Sequence, residues 1–155
     1  MSAIVVGFDL HNHCFKRHGG PRKNGVNRRG ELCLGTTRRL VDFANEHDAH
    51  LVEAGDLVDD PGPVQPQFAA RLRDELARCR GGVSLMLGNH DMTADGDHSL
   101  GIYETDGVHG VRVAERHTWR HYPVRSAHLG APQVCMVPFN CDIRDERVRD
   151  VPLLL

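Results

Sequence analysis

Short apolar segments separated by polar turns mark the first half of the chain. Residues 3–8 are a continuous apolar run, and residues 83–87 are apolar except for Ser84; both runs have polar neighbours, the pattern of strands buried in a sheet. Residues 50–54 are predicted to form a third short strand between them. Each of the two stretches that connect these predicted strands carries apolar residues at helical spacing. The predicted order is therefore β-α-β-α-β, which is typical of an α/β domain with a largely parallel sheet.

The two helices differ in how clearly the sequence marks their beginnings. The second is predicted over residues 66–80, with a proline at its first position and glycines after its end. The first is predicted over residues 36–47, with Thr36 or Thr37 as its cap. The preceding glycine-rich, basic residues 16–37 are interpreted as a loop.

The second half of the chain gives weaker signals. Residues 93–110 are predicted to be a long loop with at most a helical turn, and residues 111–114 and 134–137 to be strands. A helix is expected to begin within residues 142–150. The last three residues, 153–155, are all leucine, which is typical of a core segment rather than of an exposed end. We therefore expect one domain over residues 1–155, incomplete at its C-terminus.

Composition narrows the class of protein. The chain has 155 residues, of which 40% are hydrophobic and 26% charged, so a single globular domain is predicted and disorder is excluded. Its five cysteines are odd in number and contain no C-x-x-C pair, which favours a reducing, cytoplasmic setting over a disulfide framework. No apolar stretch approaches the ~20 residues of a membrane helix, so no membrane association is expected. The net charge of −2 means that nucleic-acid binding would need a local basic patch.

Candidate metal ligands follow each of the three predicted strands. Asp9 and His11 follow the first, Asp56 follows the second, and Asn89 and His90 follow the third. Because the carboxyl ends of parallel strands share one edge of a sheet, these turns should converge. Carboxylate, imidazole and amide oxygen together suit Mn²⁺, Fe²⁺ or Zn²⁺. A carboxylate in the middle turn could bridge two such ions ~3.5–4 Å apart, as in two-metal hydrolytic sites.

Three motifs resemble those of the calcineurin-like metallophosphoesterases: Asp9-Leu10-His11, Gly55-Asp56-Leu57-Val58-Asp59 and Gly88-Asn89-His90-Asp91. The resemblance covers about residues 1–140. The resemblance implies a β-sandwich of mixed sheets flanked by helices and a centre with two divalent ions, Mn²⁺ being favoured over Fe²⁺ or Zn²⁺. It further implies that Asp9 and His11 hold the first ion, that Asp56 bridges both, and that Asn89 binds the second.

The same resemblance implies catalytic roles. His90 would contact the scissile phosphate and act as general acid toward the leaving group, and Asp91 would orient His90. Asp59 would support the ligands rather than bind a metal. Further family ligands, in a Gly-His-x-His arrangement, do not occur in this sequence. They are expected beyond residue 155, and the activity of this chain alone is expected to be weak or absent.

A narrower likeness concerns residues 16–39, which we call the basic segment. Together with residues 99–104, the segment after the first motif resembles SbcD-type DNA exonucleases, which implies a possible SbcC-type ATPase partner and a possible homodimer. Eight of the 19 Lys and Arg residues lie within residues 16–39, against the single acid Glu31. Such a patch beside a metal site suits phosphate contacts. The predicted DNA-binding residues are Lys16, Arg17, Lys23, Arg28 and Arg29.

Other interpretations stay open at this stage. The protein could hydrolyse a phosphate ester other than DNA, or act as a catalytically incomplete nuclease subunit that docks on an ATPase. The start of the first motif also resembles the polymerase-and-histidinol-phosphatase family, which does not account for Gly88-Asn89-His90-Asp91. An HNH-nuclease interpretation of His11-Asn12-His13 is disfavoured, because that motif is dispersed along its fold. The five cysteines are interpreted as buried thiols rather than zinc ligands.

Overall fold

The computed structural model describes residues 3–17, 19–62, 64–107 and 109–114, and the backbone of two further strands at 118–121 and 133–136. In chain order the elements are β1 (Ala3–Gly7), β2 (Arg22–Lys23), β3 (Val26–Asn27), α1 (Arg28–Glu46), β4 (Ala49–Glu53), α2 (Pro66–Ala77), β5 (Val83–Met86), a 3-10 turn (Leu100–Tyr103), β6 (Val111–Ala114), β7 (Thr118–His121) and β8 (Gln133–Met136).

A parallel sheet in the order β1-β4-β5-β6 is the framework of the fold. The predicted α/β class and the β-α-β-α-β order are confirmed, and the strands predicted at 111–114 and 134–137 correspond to β6 and β8. All four strands of the sheet run in the same direction, so the turns that follow β1, β4 and β5 all lie along the edge formed by the carboxyl ends of the strands. Gly7 lies opposite Glu53 in the register of β1 and β4, which places the ends of these two strands side by side.

Helix α1 begins earlier than the sequence pattern predicts. The loop interpretation of residues 16–37 is wrong at the short strands β2 and β3 and for the whole of its second half, because Arg28 opens the helix and Thr36 and Thr37 lie inside it. Asn27 is the cap: its side chain accepts a hydrogen bond from the Gly30 N–H at 2.8 Å. A Cβ on Gly30 would come within 2.7 Å of Cys14 Sγ, so close packing requires glycine there despite its low helix propensity.

The core fills the space between the two helices and one face of the sheet. Helix α2 starts at Pro66 as predicted and buries Phe68, Leu72 and Leu76. The buried side of α1 is formed by Leu34, Thr37, Val41 and Ala44, whereas Phe43 is 50% exposed. Two ion pairs, Arg38–Glu75 and Arg71–Glu31, cross between α1 and α2. Arg38 and Glu31 of the basic segment therefore contribute to helix packing.

The mixed-sheet sandwich is not established by the described residues. Their main sheet is wholly parallel, and antiparallel pairing is confined there to the short β2–β3 and β7–β8 pairs and an isolated bridge between Met92 and His98. The helix predicted within 142–150 and the leucines at 153–155 lie outside the described residues. Among the helices that are described, none combines the length and the apolar character needed to cross a membrane.

Candidate metal centre

The turns after β1 and β4 are joined along their length. Three backbone N–H groups of the first turn donate to carbonyl oxygens of the second: Asp9 to Gly55 at 3.2 Å, His11 to Asp56 at 2.9 Å and Asn12 to Leu57 at 2.9 Å. The buried Asn12 side chain adds a fourth bond to the Leu57 carbonyl at 3.1 Å and accepts one from the Thr37 hydroxyl at 3.1 Å. The two turns are thus fixed to each other and to α1.

Asp91 connects the third turn to the second. Its carboxylate is 0% exposed and accepts backbone N–H bonds from Asp56 at 2.8 Å, Val58 at 3.0 Å and Gly88 at 2.8 Å. Burial raises the pKa of Asp91, and these three hydrogen bonds oppose that rise. The resemblance implies that Asp91 orients His90, whereas its described hydrogen bonds hold the second and third turns together.

Three of the four predicted ligands, Asp9, His11 and Asp56, lie together at this edge of the sheet. Ligand atoms of Asp9, His11 and Asp56 all lie within 4.8 Å of one another, and so do those of His11, Asp59 and His90. His11 belongs to both groups, so the two candidate positions adjoin. Asp59, which the resemblance made a supporting residue, is part of the second group.

The donor set suits a divalent cation of the Mn²⁺, Fe²⁺ or Zn²⁺ type, because it combines imidazole nitrogens with carboxylate oxygens. His11 Nδ1 is a buried atom without a hydrogen-bond partner among the described residues, and it lies 3.4 Å from Asp59 Oδ1. Both side chains are 34% exposed, so an ion could reach them. An unpaired buried nitrogen beside a carboxylate is the arrangement that a metal would complete.

Backbone strain is concentrated at the same residues. Asp9, His11 and Asp56 have φ values of 55°, 43° and 57°, in the left-handed region that costs most residues on the order of 1–2 kcal/mol. Gly55, which directly precedes Asp56 in the second turn, has φ 103°. Strained conformations persist where surrounding contacts fix them, often at functional sites, and the loop-to-loop hydrogen bonds supply those contacts here.

His90 is held through one ring nitrogen. Its Nδ1–H donates to the Asp59 carbonyl oxygen at 2.9 Å, and its backbone N–H donates to Asp56 Oδ1 at 2.8 Å. The hydrogen bond to Asp59 raises the pKa of His90, with Asp56, Asp59 and Asp91 acting in the same direction. Its ring meets that of His11 edge-on, with centroids 4.6 Å apart. Asn89, the predicted ligand of the second ion, lies in the same turn with its side chain exposed.

Sequence reasoning missed Glu53. This last residue of β4 is 1% exposed, and neither carboxylate oxygen has a hydrogen-bond partner among the described residues. Burial, together with Asp91, Asp9 and Asp56, raises the pKa of Glu53 to about 8. The signal available in the sequence was a single acid at the end of a strand, flanked by Val52 and Ala54.

The raised pKa of Glu53 predicts how the stability of the metal-free protein depends on pH. Because its folded-state pKa of about 8 exceeds the ordinary value of 4.5, the folded state holds the proton more tightly between these values. In EDTA, the free energy of unfolding should therefore fall from pH 5 to pH 8, by up to about 1.4 kcal/mol per pH unit. Denaturant titrations of wild type and Glu53→Gln measure this, and the variant should show the shallower dependence. Parallel curves would contradict the assignment.

Gly88 controls how closely the second and third turns approach. A Cβ there would lie 2.2 Å from Asp56 Oδ1 and 2.4 Å from its backbone nitrogen. Gly88→Ala should therefore displace Asp56, lower the free energy of unfolding by about 1–3 kcal/mol and weaken Mn²⁺ binding. Gly101→Ala is the matched control, because a Cβ there meets nothing within 4 Å. Calorimetric Mn²⁺ titration and chemical unfolding check both effects, and equal Mn²⁺ affinity in Gly88→Ala would count against this packing role.

All five predicted DNA-binding residues are exposed: Lys16, Arg17, Lys23, Arg28 and Arg29. Arg28 and Arg29 form the first turn of α1, and the Arg29 guanidinium lies over the Phe15 ring, 4.1 Å from its centroid. A cavity of about 70 Å³ separates the turn after β1 from the segment that leads into α2, and His13, Lys16 and Asp60 are among its lining residues. The basic segment thus continues directly from the His11 turn.

Comparison of the chain with known protein families yields no match, and a search of curated proteins gives no match either. Function is therefore proposed from the residues and geometry of the site itself.

Proposed function

We propose that the protein is a metal-dependent phosphodiester hydrolase that acts on DNA, with a metallophosphoesterase-like fold. The convergence of the turns after β1, β4 and β5 carries this proposal, because they form two ligand groups that share His11. Paired divalent ions stabilise developing charge on phosphate oxygens and lower the pKa of water, which is the chemistry that phosphodiester hydrolysis requires. On this proposal Asp9, His11 and Asp56 hold one ion.

The second position involves His11, Asp59 and the third turn. His90 Nδ1 is engaged with the Asp59 carbonyl, so Nε2 is the nitrogen left to face a substrate. The raised pKa of His90 favours the protonated form of its imidazole. We assign His90 the transfer of that proton to the leaving oxygen, and Asn89 and Asp59 the positions around the second ion. Asp91 contributes by fixing Asp56 and the third turn.

DNA is the proposed substrate because of the exposed cations next to the site. Residues such as Lys16 and Arg28 could contact phosphates and position a strand without reading its sequence. The cytoplasmic location, the SbcC-type ATPase partner and the homodimer belong to the same proposal and stem from the family likeness and the cysteine content.

The proposal is tested by incubating the full chain with Mn²⁺ and either end-labelled linear DNA or bis(p-nitrophenyl) phosphate. Micromolar protein makes slow turnover detectable. Cleavage of DNA that requires Mn²⁺ and stops in EDTA would support a DNA nuclease. Cleavage of the small ester alone would support a phosphodiesterase with another substrate, and saturable Mn²⁺ binding without cleavage would support a binding domain.

The role of the basic segment is tested by the salt dependence of DNA binding. Replacing Arg28 and Arg29 with alanine should weaken binding and reduce the slope of log K against log[salt] by about 0.9 for each phosphate that the variant no longer neutralises. Arg80→Ala is the matched control, since its guanidinium donates to the Asn45 carbonyl at 2.8 Å near the opposite edge of the sheet. Fluorescence anisotropy at several salt concentrations gives the slopes. An unchanged slope in the double variant would show that these arginines do not contact DNA phosphates.

A further inference from the structure

Glu53 stands out among the buried polar residues of the sheet. It ends β4, between the carboxyl ends of β1 and β5, where the metal centre lies. Its side chain is 1% exposed and both carboxylate oxygens lack a hydrogen-bond partner among the described residues. A Cβ on the neighbouring Gly7 would come within 2.5 Å of Glu53 Oε2. Glycine at position 7 therefore provides the space that this carboxylate occupies.

The other buried polar side chains on the strands of the main sheet, His50 and Ser84, have hydrogen-bond partners. On the same strand, His50 donates from Nδ1 to the Gly81 carbonyl at 2.8 Å and pairs through Nε2 with the Ser84 hydroxyl at 2.9 Å. Asp91 accepts three backbone N–H bonds in the same region. Glu53 has no comparable set of donors among the described residues, so a hydrogen-bonding role in the fold does not explain its presence.

A negative charge on Glu53 is unfavourable without a cation nearby. The charged groups that act on it are Asp91, Asp9 and Asp56, and all three are acidic. Bringing a fourth carboxylate into this group and out of water costs free energy unless a positive charge compensates. Two of these neighbours, Asp9 and Asp56, belong to the first candidate ligand group, so a divalent ion held there would supply that charge.

We propose that Glu53 is a positioning residue of the metal centre, whose buried carboxylate strengthens cation binding by Asp9, His11 and Asp56 without itself belonging to either ligand group. This inference rests on the proposed function. It adds a residue that the three sequence motifs do not contain, and a reason why residue 7 is glycine. Removal of supporting groups around metal sites typically lowers metal affinity by roughly 10- to 100-fold.

The test compares wild type with Glu53→Gln, which keeps the shape of the side chain, and Glu53→Met, which keeps its volume without polar atoms. Mn²⁺ affinity is measured by calorimetry, and thermal unfolding is followed in EDTA and in Mn²⁺. Asp42→Asn is the matched control, because it removes an equal charge from a carboxylate on the surface of α1. We expect both Glu53 variants to bind Mn²⁺ at least tenfold more weakly, to be no less stable than wild type in EDTA, and to gain less from Mn²⁺.

Each other outcome overturns the inference in an identifiable way. Mn²⁺ affinity within twofold of wild type in both variants, with wild type itself binding Mn²⁺, would remove Glu53 from the centre and leave the proposed function intact. Failure of both variants to fold in EDTA would give Glu53 a structural role. Absence of Mn²⁺ binding by wild type would overturn the proposed function, and this inference with it.

Discussion

Replacing Asp56 with asparagine is expected to lower Mn²⁺-dependent cleavage by at least about 10²- to 10³-fold, the loss typical of removing one electrostatic stabiliser of a transition state. The substitution removes the charge that would hold a cation between Asp9 and His11. The fold should survive it. Asparagine tolerates the left-handed backbone at φ 57°, and its amide oxygen can still accept the bond from the His90 N–H.

Asp48→Asn provides the control for this experiment. Asp48 is another aspartate in the left-handed region, with φ 48°, but it lies between α1 and β4 at the opposite edge of the sheet. Cleavage rates and unfolding curves of both variants, measured with and without Mn²⁺, separate loss of a ligand from loss of structure. If Asp56→Asn cleaves DNA at the rate of wild type, Asp56 is not a ligand of the reactive centre.

His90→Ala should separate general acid catalysis from metal binding. A general acid matters most when the leaving group is a poor one, so DNA cleavage should fall by about 10²- to 10⁴-fold. Cleavage of bis(p-nitrophenyl) phosphate should fall much less, because p-nitrophenolate leaves without being protonated. Mn²⁺ affinity, measured in parallel by calorimetry, should change little compared with the loss in DNA cleavage.

The matched control is His47→Ala. His47 lies at the end of α1 and, like His90, donates from Nδ1 to a backbone carbonyl, that of Phe43, at 2.9 Å. Equal losses on both substrates in His90→Ala, together with weaker Mn²⁺ binding, would contradict the acid role. That result would instead make His90 a ligand beside His11 and Asp59, the alternative that their proximity also permits.

Much of the sheet and the position of the site could be predicted from the sequence. Apolar runs bounded by polar turns identify β1 and β5, and the parallel order then brings Asp9, Asp56 and His90 to one edge whatever the details of the loops. Helix α2 was equally accessible, because Pro66 marks its start and its apolar residues keep a regular spacing.

The features that escaped prediction depend on contacts between distant parts of the chain. The start of α1 depends on the Asn27 cap and on Gly30 packing against Cys14, and glycine-rich sequence alone indicates a loop. The three hydrogen bonds of Asp91 require the second and third turns to be in place. The burial of Glu53 likewise follows from its neighbours in the sheet, and not from its own segment.

The central claim, that the three turns bind divalent cations, is tested most directly by titrating the full chain with Mn²⁺ while the free ion is followed by electron paramagnetic resonance. Wild type should remove Mn²⁺ from solution saturably, with up to two ions per chain, and Asp56→Asn should lose this binding while Asp48→Asn keeps it. Absence of saturable binding in wild type, or equal binding by wild type and Asp56→Asn, would contradict the account.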